Sequence, residues 1–189
     1  MPKVSIVIVA AGLGSRMGQG DKLFFEVAGI PLVGHTWLQF DRFDDASEVV
    51  VVARKESHKR FSQLAKTIEL TKPWIIVDGG AERQDSVWNG VNACDSSADI
   101  VAIQDGARPC SPLDVVRQAI GAAYEIGAAV LAKRVTDSLK RGNEQSDILE
   151  TVIRENLWAV QTPQVFRRDI ILTALKKVRD QGITITDDT

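Results

Sequence analysis

Five short runs rich in β-branched residues constrain this chain more than any other feature: Lys3–Val9, Glu48–Ala53, Trp74–Val77, Asp99–Gln104 and Ala128–Lys133. Several are apolar at consecutive positions rather than at every second one, the pattern of strands covered on both faces. Amphipathic segments separate them. Val33, Trp37 and Phe40 share one helical face, and Val87, Val91 and Cys94 share another. Leu113, Val116, Ile120 and Tyr124 make a third, which Ser111 opens as N-cap with Pro112 at the first helical position. Strands alternating with helices in this way predict an α/β fold, three layers around a largely parallel sheet. The polar stretch between Val135 and Val160 breaks the alternation with two extended pieces, Leu149–Ile153 and Trp158–Gln161. Structureless loops of that length are uncommon, so the stretch predicts a β-arm protruding from the globule.

With 189 residues, the chain suits a single domain, 1–189, on a soft prior of about 150 residues each. A net charge of −2 excludes a strongly basic nucleic-acid surface as the default reading. Cys94 and Cys110 are too few for a disulfide framework, and with His35 and His58 standing alone a zinc site has almost no material. No apolar run approaches the roughly 18 residues of a membrane span. Gly12 and Arg16 interrupt the first apolar run too early for a signal sequence. The expectation is a cytoplasmic protein without nucleic-acid or membrane partners.

Open α/β sheets place ligands at the carboxyl ends of their strands, so the residues following each strand carry the chemistry. After the first come Ala10-Ala11-Gly12-Leu13-Gly14-Ser15-Arg16 and, a little further on, Asp21-Lys22. Glycines bring backbone N–H groups close to an anion, and Arg16 and Lys22 add two cations, which together make a phosphate cradle. The plain alternatives are a solvated surface charge for Arg16 and a helix-flanking one for Lys22. The P-loop spacing is absent, and the Rossmann fingerprint wants a glycine where Met17 stands and an acid where Arg54 follows the second strand. An NADP-dependent oxidoreductase with Arg54 on the extra phosphate is the surviving rival from another class. After the third strand comes Asp78-Gly79-Gly80-Ala81-Glu82-Arg83-Gln84-Asp85-Ser86, and after the fourth Asp105-Gly106-Ala107-Arg108-Pro109. Arg83 and Asp85 have the option of pairing on one helix. The polar stretch leads into Trp158-Ala159-Val160-Gln161-Thr162-Pro163-Gln164.

With these segments in order, the sequence resembles the 2-C-methyl-D-erythritol 4-phosphate cytidylyltransferases over almost its whole length. The segments Gly-Gly-x-Glu-Arg-x-Asp-Ser-Val, Asp-x-Ala-Arg-Pro and Thr-Pro-Gln carry the resemblance together. The glycine-rich opening alone is shared with many sugar-nucleotide pyrophosphorylases. The resemblance implies a nucleotidyltransferase (glycosyltransferase-A-like) fold and transfer of a cytidylyl group from CTP to 2-C-methyl-D-erythritol 4-phosphate, with pyrophosphate released and Mg²⁺ as divalent cofactor. A ribitol- or ribulose-phosphate cytidylyltransferase is the alternative within that chemistry.

Residue by residue, the resemblance implies that Ala10, Ala11, Gly12, Leu13 and Gly14 wrap the triphosphate, while Arg16 and Lys22 stabilise the pentacoordinate phosphorus. It assigns Gly80, Ala81 and Ser86 to the cytosine pocket. The plain alternative for Ser86 is a helix-start residue bonding its own backbone. Asp105 is implied as the metal ligand, against an ordinary Asp-Gly turn residue. Arg108 faces the incoming substrate, Ser138 stands where the family usually has threonine, and Arg154 holds the acceptor phosphate with a catalytic positioning role. The arm is implied to cross to a second subunit, making a homodimer in which Ser138 and Arg154 serve the partner's site. The match departs from the family at Asp21, usually proline, at Leu23, usually glutamine, and at Gln104, usually histidine. Residues 183–189 match a mid-family segment, after which relatives continue through a strand and helix bearing a substrate-contacting lysine. That implies a truncated chain and keeps an inactive nucleotide-binding fragment as a further alternative.

Overall fold

The computed structural model describes residues 2–12 and 21–183. In chain order the strands and helices are β1 (Val4–Val9), the small pair β2 (Glu26–Val27) and β3 (Ile30–Pro31), α1 (Leu32–Asp41), β4 (Ala46–Ala53), α2 (His58–Thr67), β5 (Trp74–Asp78) and α3 (Arg83–Ala93). They are followed by β6 (Ile100–Asp105), α4 (Leu113–Ile126), β7 (Ala128–Arg134), β8 (Leu139–Gly142), β9 (Ile148–Val152), β10 (Trp158–Arg167) and α5 (Arg168–Asp180). The main sheet has six strands in the order β5-β4-β1-β6-β10-β7. β1 pairs in parallel with β4 and β6, and β4 in parallel with β5, while β10 runs antiparallel to both of its neighbours.

Alternation along the continuous apolar runs explains the three layers. Ile6, Ile8, Val49, Val51, Ile100 and Ala102 point to one face, where Val33, Trp37 and Phe40 of α1, Phe61 of α2 and Val116 and Ile120 of α4 cover them. Val7, Val50, Val52, Val101 and Ile103 point to the other, under Val87 and Val91 of α3 and Ile171 and Leu175 of α5. With both faces covered, nearly every strand position is apolar. β1 is also fastened at its start. Lys3 N–H donates to Asp99 at 2.7 Å and its ammonium meets Asp95 at 2.6 Å.

Three expectations need correction. Trp158–Gln161 does not belong to the arm but begins β10, a ten-residue strand of the main sheet. The ladder to β7 is interrupted between Val160 and Gln164, around Thr162-Pro163, and resumes at Gln164. Ser111 is not the cap of α4. Pro112 holds that position, and the buried Ser111 hydroxyl donates to the Thr162 carbonyl at 3.0 Å, tying the segment after β6 to β10. Tyr124 lies outside the buried stripe of α4, which consists of Val116, Ala119, Ile120 and Ala123. The arm itself is the antiparallel pair of β8 and β9, a separate two-stranded sheet. Among the described residues no helix is long and apolar enough to cross a membrane.

Candidate active site

From β1 the chain moves outward to β4 and β5 and then crosses back to β6 on the other side of β1. The switch point therefore lies between β1 and β6, and a crevice opens at their carboxyl ends. Three turns converge there, those after β1, β5 and β6. Ala10 N–H donates to Val52 at 2.8 Å, Gly79 N–H to Ala53 at 2.9 Å and Gly106 N–H to Val9 at 3.0 Å, so each turn continues the ladder of its neighbouring strand. Thr36 of α1 donates its hydroxyl to the Gly106 carbonyl at 2.9 Å and holds the floor from below.

The turn after β5 is compact because its two glycines leave no room for side chains. A Cβ on Gly79 would stand 2.4 Å from Ala11 Cβ, and one on Gly80 only 2.1 Å from Asp85 Cβ. Ser86 is buried beneath them. Its hydroxyl accepts the Gly80 N–H at 3.0 Å and donates to the Glu82 carbonyl at 3.2 Å. Glu82 and Asp85 close α3 with a capping box, each carboxylate accepting the other's backbone N–H. Asp85 is thus occupied at the helix start, and Arg83 does not pair with it. Arg83 reaches instead across the crevice to β6.

There Asp105, with 30% of its side chain exposed, meets two guanidinium groups. Arg83 Nη1 donates to Oδ1 and Arg108 Nε to Oδ2, both at 2.9 Å. Arg108 Nη1 also donates to Gln161 Oε1 on β10. Behind them the fully buried Gln104 donates to the Arg108 carbonyl at 2.8 Å, and Asp105 N–H donates to Thr162 Oγ1 at 3.2 Å. The amide at position 104 thus braces the Asp105–Ser111 turn without any charge.

Among the described residues no group of three or more His, Cys, Asp or Glu is placed to hold a metal. Asp105 offers one carboxylate. Both of its oxygens face arginines, so it does not form an all-protein cage, and a Mg²⁺ held there would rest chiefly on waters and substrate phosphates, as that ion commonly does.

Lys22 stands exposed on a 3-10 turn, Lys22–Phe24, beside the crevice. Arg54, the anchor required by an NADP reading, is held by Asp21 at 3.1 Å and is no open receptor for a phosphate. Ala10, Ala11, Gly12, Gly80, Ala81 and Arg108 lie on the converging turns, Ser86 in the first turn of α3 and Asp105 at the end of β6, whereas Leu13, Gly14 and Arg16 fall outside the described residues. Ser138 and Arg154 lie in the arm region, where Arg154 Nη1 donates to the Thr136 carbonyl. Among the described residues neither bonds to the crevice loops. Arg83 is the site residue that sequence reasoning missed. Its tie to Asp105 links side chains 22 positions apart, and only the fold brings them together.

A family profile described as "IspD: 2-C-methyl-D-erythritol 4-phosphate cytidylyltransferase" matches residues 4–189. The 2-C-methyl-D-erythritol 4-phosphate cytidylyltransferase of Alkaliphilus metalliredigens is 39% identical over 188 residues, covering 98% of this chain and 78% of that protein. The enzyme of the same name from Caldanaerobacter subterraneus is 40% identical over 187 residues, covering 98% and 82%. Among solved structures, the 4-diphosphocytidyl-2C-methyl-D-erythritol synthase of Anaerococcus prevotii superimposes with a TM-score of 0.84 at 25% identity, covering 99% of this chain and 79% of that one. The Thermus thermophilus cytidylyltransferase superimposes with a TM-score of 0.77 at 30% identity, covering 98% and 81%. Profile, relatives and fold agree, and the chain belongs to the 2-C-methyl-D-erythritol 4-phosphate cytidylyltransferase family.

Proposed function

We propose that this protein transfers a cytidylyl group from CTP to 2-C-methyl-D-erythritol 4-phosphate and releases pyrophosphate, a step of isoprenoid precursor synthesis. The observation that carries the reading is the crevice. A glycine turn too tight for any side chain lies against the first loop, opposite a carboxylate flanked by two arginines. The polar edge of the Gly79–Ala81 turn suits a base read through backbone groups, because cytosine offers an exocyclic amine donor and ring acceptors.

In this reading an oxygen of the acceptor's phosphate attacks the α-phosphorus of CTP. The bond to the bridging oxygen breaks, and pyrophosphate leaves with the electron pair. Charge spreads over the equatorial oxygens in the transition state, so fixed cations rather than covalent chemistry are needed. Lys22 and Arg16 supply them. No general base is required, since a phosphate monoester with a second pKa of about 6 is already nucleophilic near neutrality. Asp105 is the residue that would hold Mg²⁺, which when bound neutralises phosphate charge. Arg108, braced by Asp105 and Gln161, faces the acceptor.

Ser138 and Arg154 fit a role in the crevice of a second copy, because the arm that they flank is exposed at all but its first and last strand residues, Leu139 and Val152. Ile148 is 69% and Ile153 78% exposed, apolar surface that a homodimer through the arm would cover. A cytoplasmic location agrees with this soluble phosphate chemistry. The test is turnover with CTP and Mg²⁺, followed by pyrophosphate release. 2-C-methyl-D-erythritol 4-phosphate is expected to be the preferred acceptor. A higher kcat/KM with ribitol 5-phosphate would overturn the acceptor assignment, and no release with any polyol phosphate would overturn the activity.

A further inference from the structure

We propose that Asp21 and Arg54 form a positioning pair that aims Lys22 into the crevice. The inference rests on the reading of Lys22 as a cation for the transferring phosphorus. Lys22 opens a turn of three residues, too short to hold a direction by its own hydrogen bonds. Its stiffness must come from anchors. Two are apolar. Leu23 is buried, with Cδ2 3.3 Å from where a Cβ on Gly106 would stand. The Phe24 ring meets Phe61 edge-on at 4.9 Å, and the Arg60 guanidinium lies 3.7 Å from its centroid.

The third anchor is polar and lies directly beside Lys22. Asp21 Oδ1 accepts the Leu23 N–H at 3.2 Å and caps the turn, while Asp21 Oδ2 meets Arg54 Nη2 at 3.1 Å. Arg54 directly follows β4, whose last residue Ala53 accepts the Gly79 N–H at 2.9 Å. One carboxylate therefore ties the turn that carries Lys22 to the end of a strand that also supports the glycine turn. The two side chains are only 28% (Arg54) and 18% (Asp21) exposed, which shields the pair more than an ordinary surface ion pair. Arg54 also has Glu56 Oε1 3.9 Å from its Nη1, but that carboxylate is farther away and 72% exposed, so Asp21 is the closer and better shielded partner of this guanidinium. Lys22 itself is exposed, and its ammonium has no partner among the described residues. A cation on a flexible stem acts where its backbone aims it, and a shift of about 1 Å at a reacting centre can cost about 100-fold in rate.

The test is kinetic. Asp21→Asn keeps a cap acceptor but loses the ionic grip, and Arg54→Met loses the grip from the other side. Each is expected to lower kcat about tenfold with the CTP KM within about twofold and the melting temperature within a few degrees. Arg54→Lys is expected to recover part of the loss, having the charge without the fork. In a Lys22→Met background, Asp21→Asn is expected to cost less than about twofold more, because the pair then has nothing to aim. An equal loss in both backgrounds overturns the pair and leaves the role of Lys22 standing. Unimpaired turnover in Lys22→Met alone overturns the Lys22 reading itself. A plain electrostatic role would instead move the CTP KM in opposite directions in the two variants at unchanged kcat, since one loses a negative and the other a positive charge. That result also overturns the proposal.

Discussion

Gly79 and Ala11 touch so closely that a methyl group on the glycine would stand 2.4 Å from the alanine Cβ. The contact joins the turn after β5 to the loop after β1, two segments to which the nucleotide reading assigns base and triphosphate. Ala11 Cβ is fixed by its backbone and has no rotamer with which to yield. The pair thus sets the distance between the two halves of the nucleotide site.

Gly79→Ala is accordingly expected to force the two loops apart. Overpacking of this kind costs about 1–3 kcal/mol, and in a chain of this size each kcal/mol lowers the melting temperature by roughly 2–4 °C. CTP affinity is expected to fall with it. Thermal melts and calorimetric titration check both, and unchanged values in the two would show that the loops part without cost.

A second expectation concerns Asp105. Asp105→Asn leaves Arg83 and Arg108 converging on a neutral amide and removes the carboxylate proposed to hold Mg²⁺. Hydrogen bonds to charged groups are worth about 1.5–3 kcal/mol, so Mg·CTP affinity is expected to drop at least about tenfold. The fold is expected to persist, since the side chain is partly solvated. Calorimetry on both chains decides, and equal affinity would remove Asp105 from the metal site.

How much of this was legible in the sequence follows from the reach of each interaction. The runs of β1, β4 and β6 were visible because both sheet faces are covered there, which writes continuous apolar stretches, whereas the edge strands β5 and β7 are more exposed and showed through their short β-branched or aliphatic runs. The second half of β10 was hidden because Pro163, which lacks a backbone N–H, stands before the short run Gln164–Arg167 and reads as an end to the strand. Tyr124 was misplaced because Ala119 and Ala123, small residues easily overlooked, form the buried face of α4. The glycine turns were legible as chemistry, but their tightness was not. That depends on Ala11 and Asp85 lying alongside. Arg83 offered only a neighbouring acid as a local partner, and nothing local signals a contact with Asp105.

The arm yields a third prediction. Leu149 and Ile153 lie on one side of an extended segment by two-residue alternation, and both are exposed. β8 and β9 pair with each other and with no strand of the main sheet. Leu149→Asp and Ile153→Asp together are therefore expected to abolish the proposed arm-mediated dimer while leaving the melting transition of the core nearly unchanged. Sedimentation velocity of both chains across micromolar concentrations measures this. Identical sedimentation of the two would place the interface elsewhere or remove it.

The last prediction concerns alkaline pH. Cys94 is buried at the end of α3 and donates its thiol to the Gly90 carbonyl at 3.3 Å. Burial, followed by the nearby Glu48 carboxylate, pushes its pKa from 9.0 up to about 12. The folded chain therefore keeps this proton between pH 9 and 12, while the unfolded chain releases it. Stability falls with rising pH wherever the native state binds more protons. The slope from one such group is about 1.4 kcal/mol per pH unit, or about 4 kcal/mol if the whole window is crossed. Below pH 9 the thiol is neutral in both states and contributes no slope. Urea unfolding at pH 8, 9, 10 and 11 is expected to show a steeper decline in the parent chain than in Cys94→Ala, the difference opening only above pH 9. Reaction with a thiol reagent at pH 8 is expected to label the exposed Cys110 quickly and Cys94 only on unfolding. Parallel declines in the two chains, with two thiols reacting at one rate, would show that Cys94 ionises in the folded protein as it does in the unfolded one.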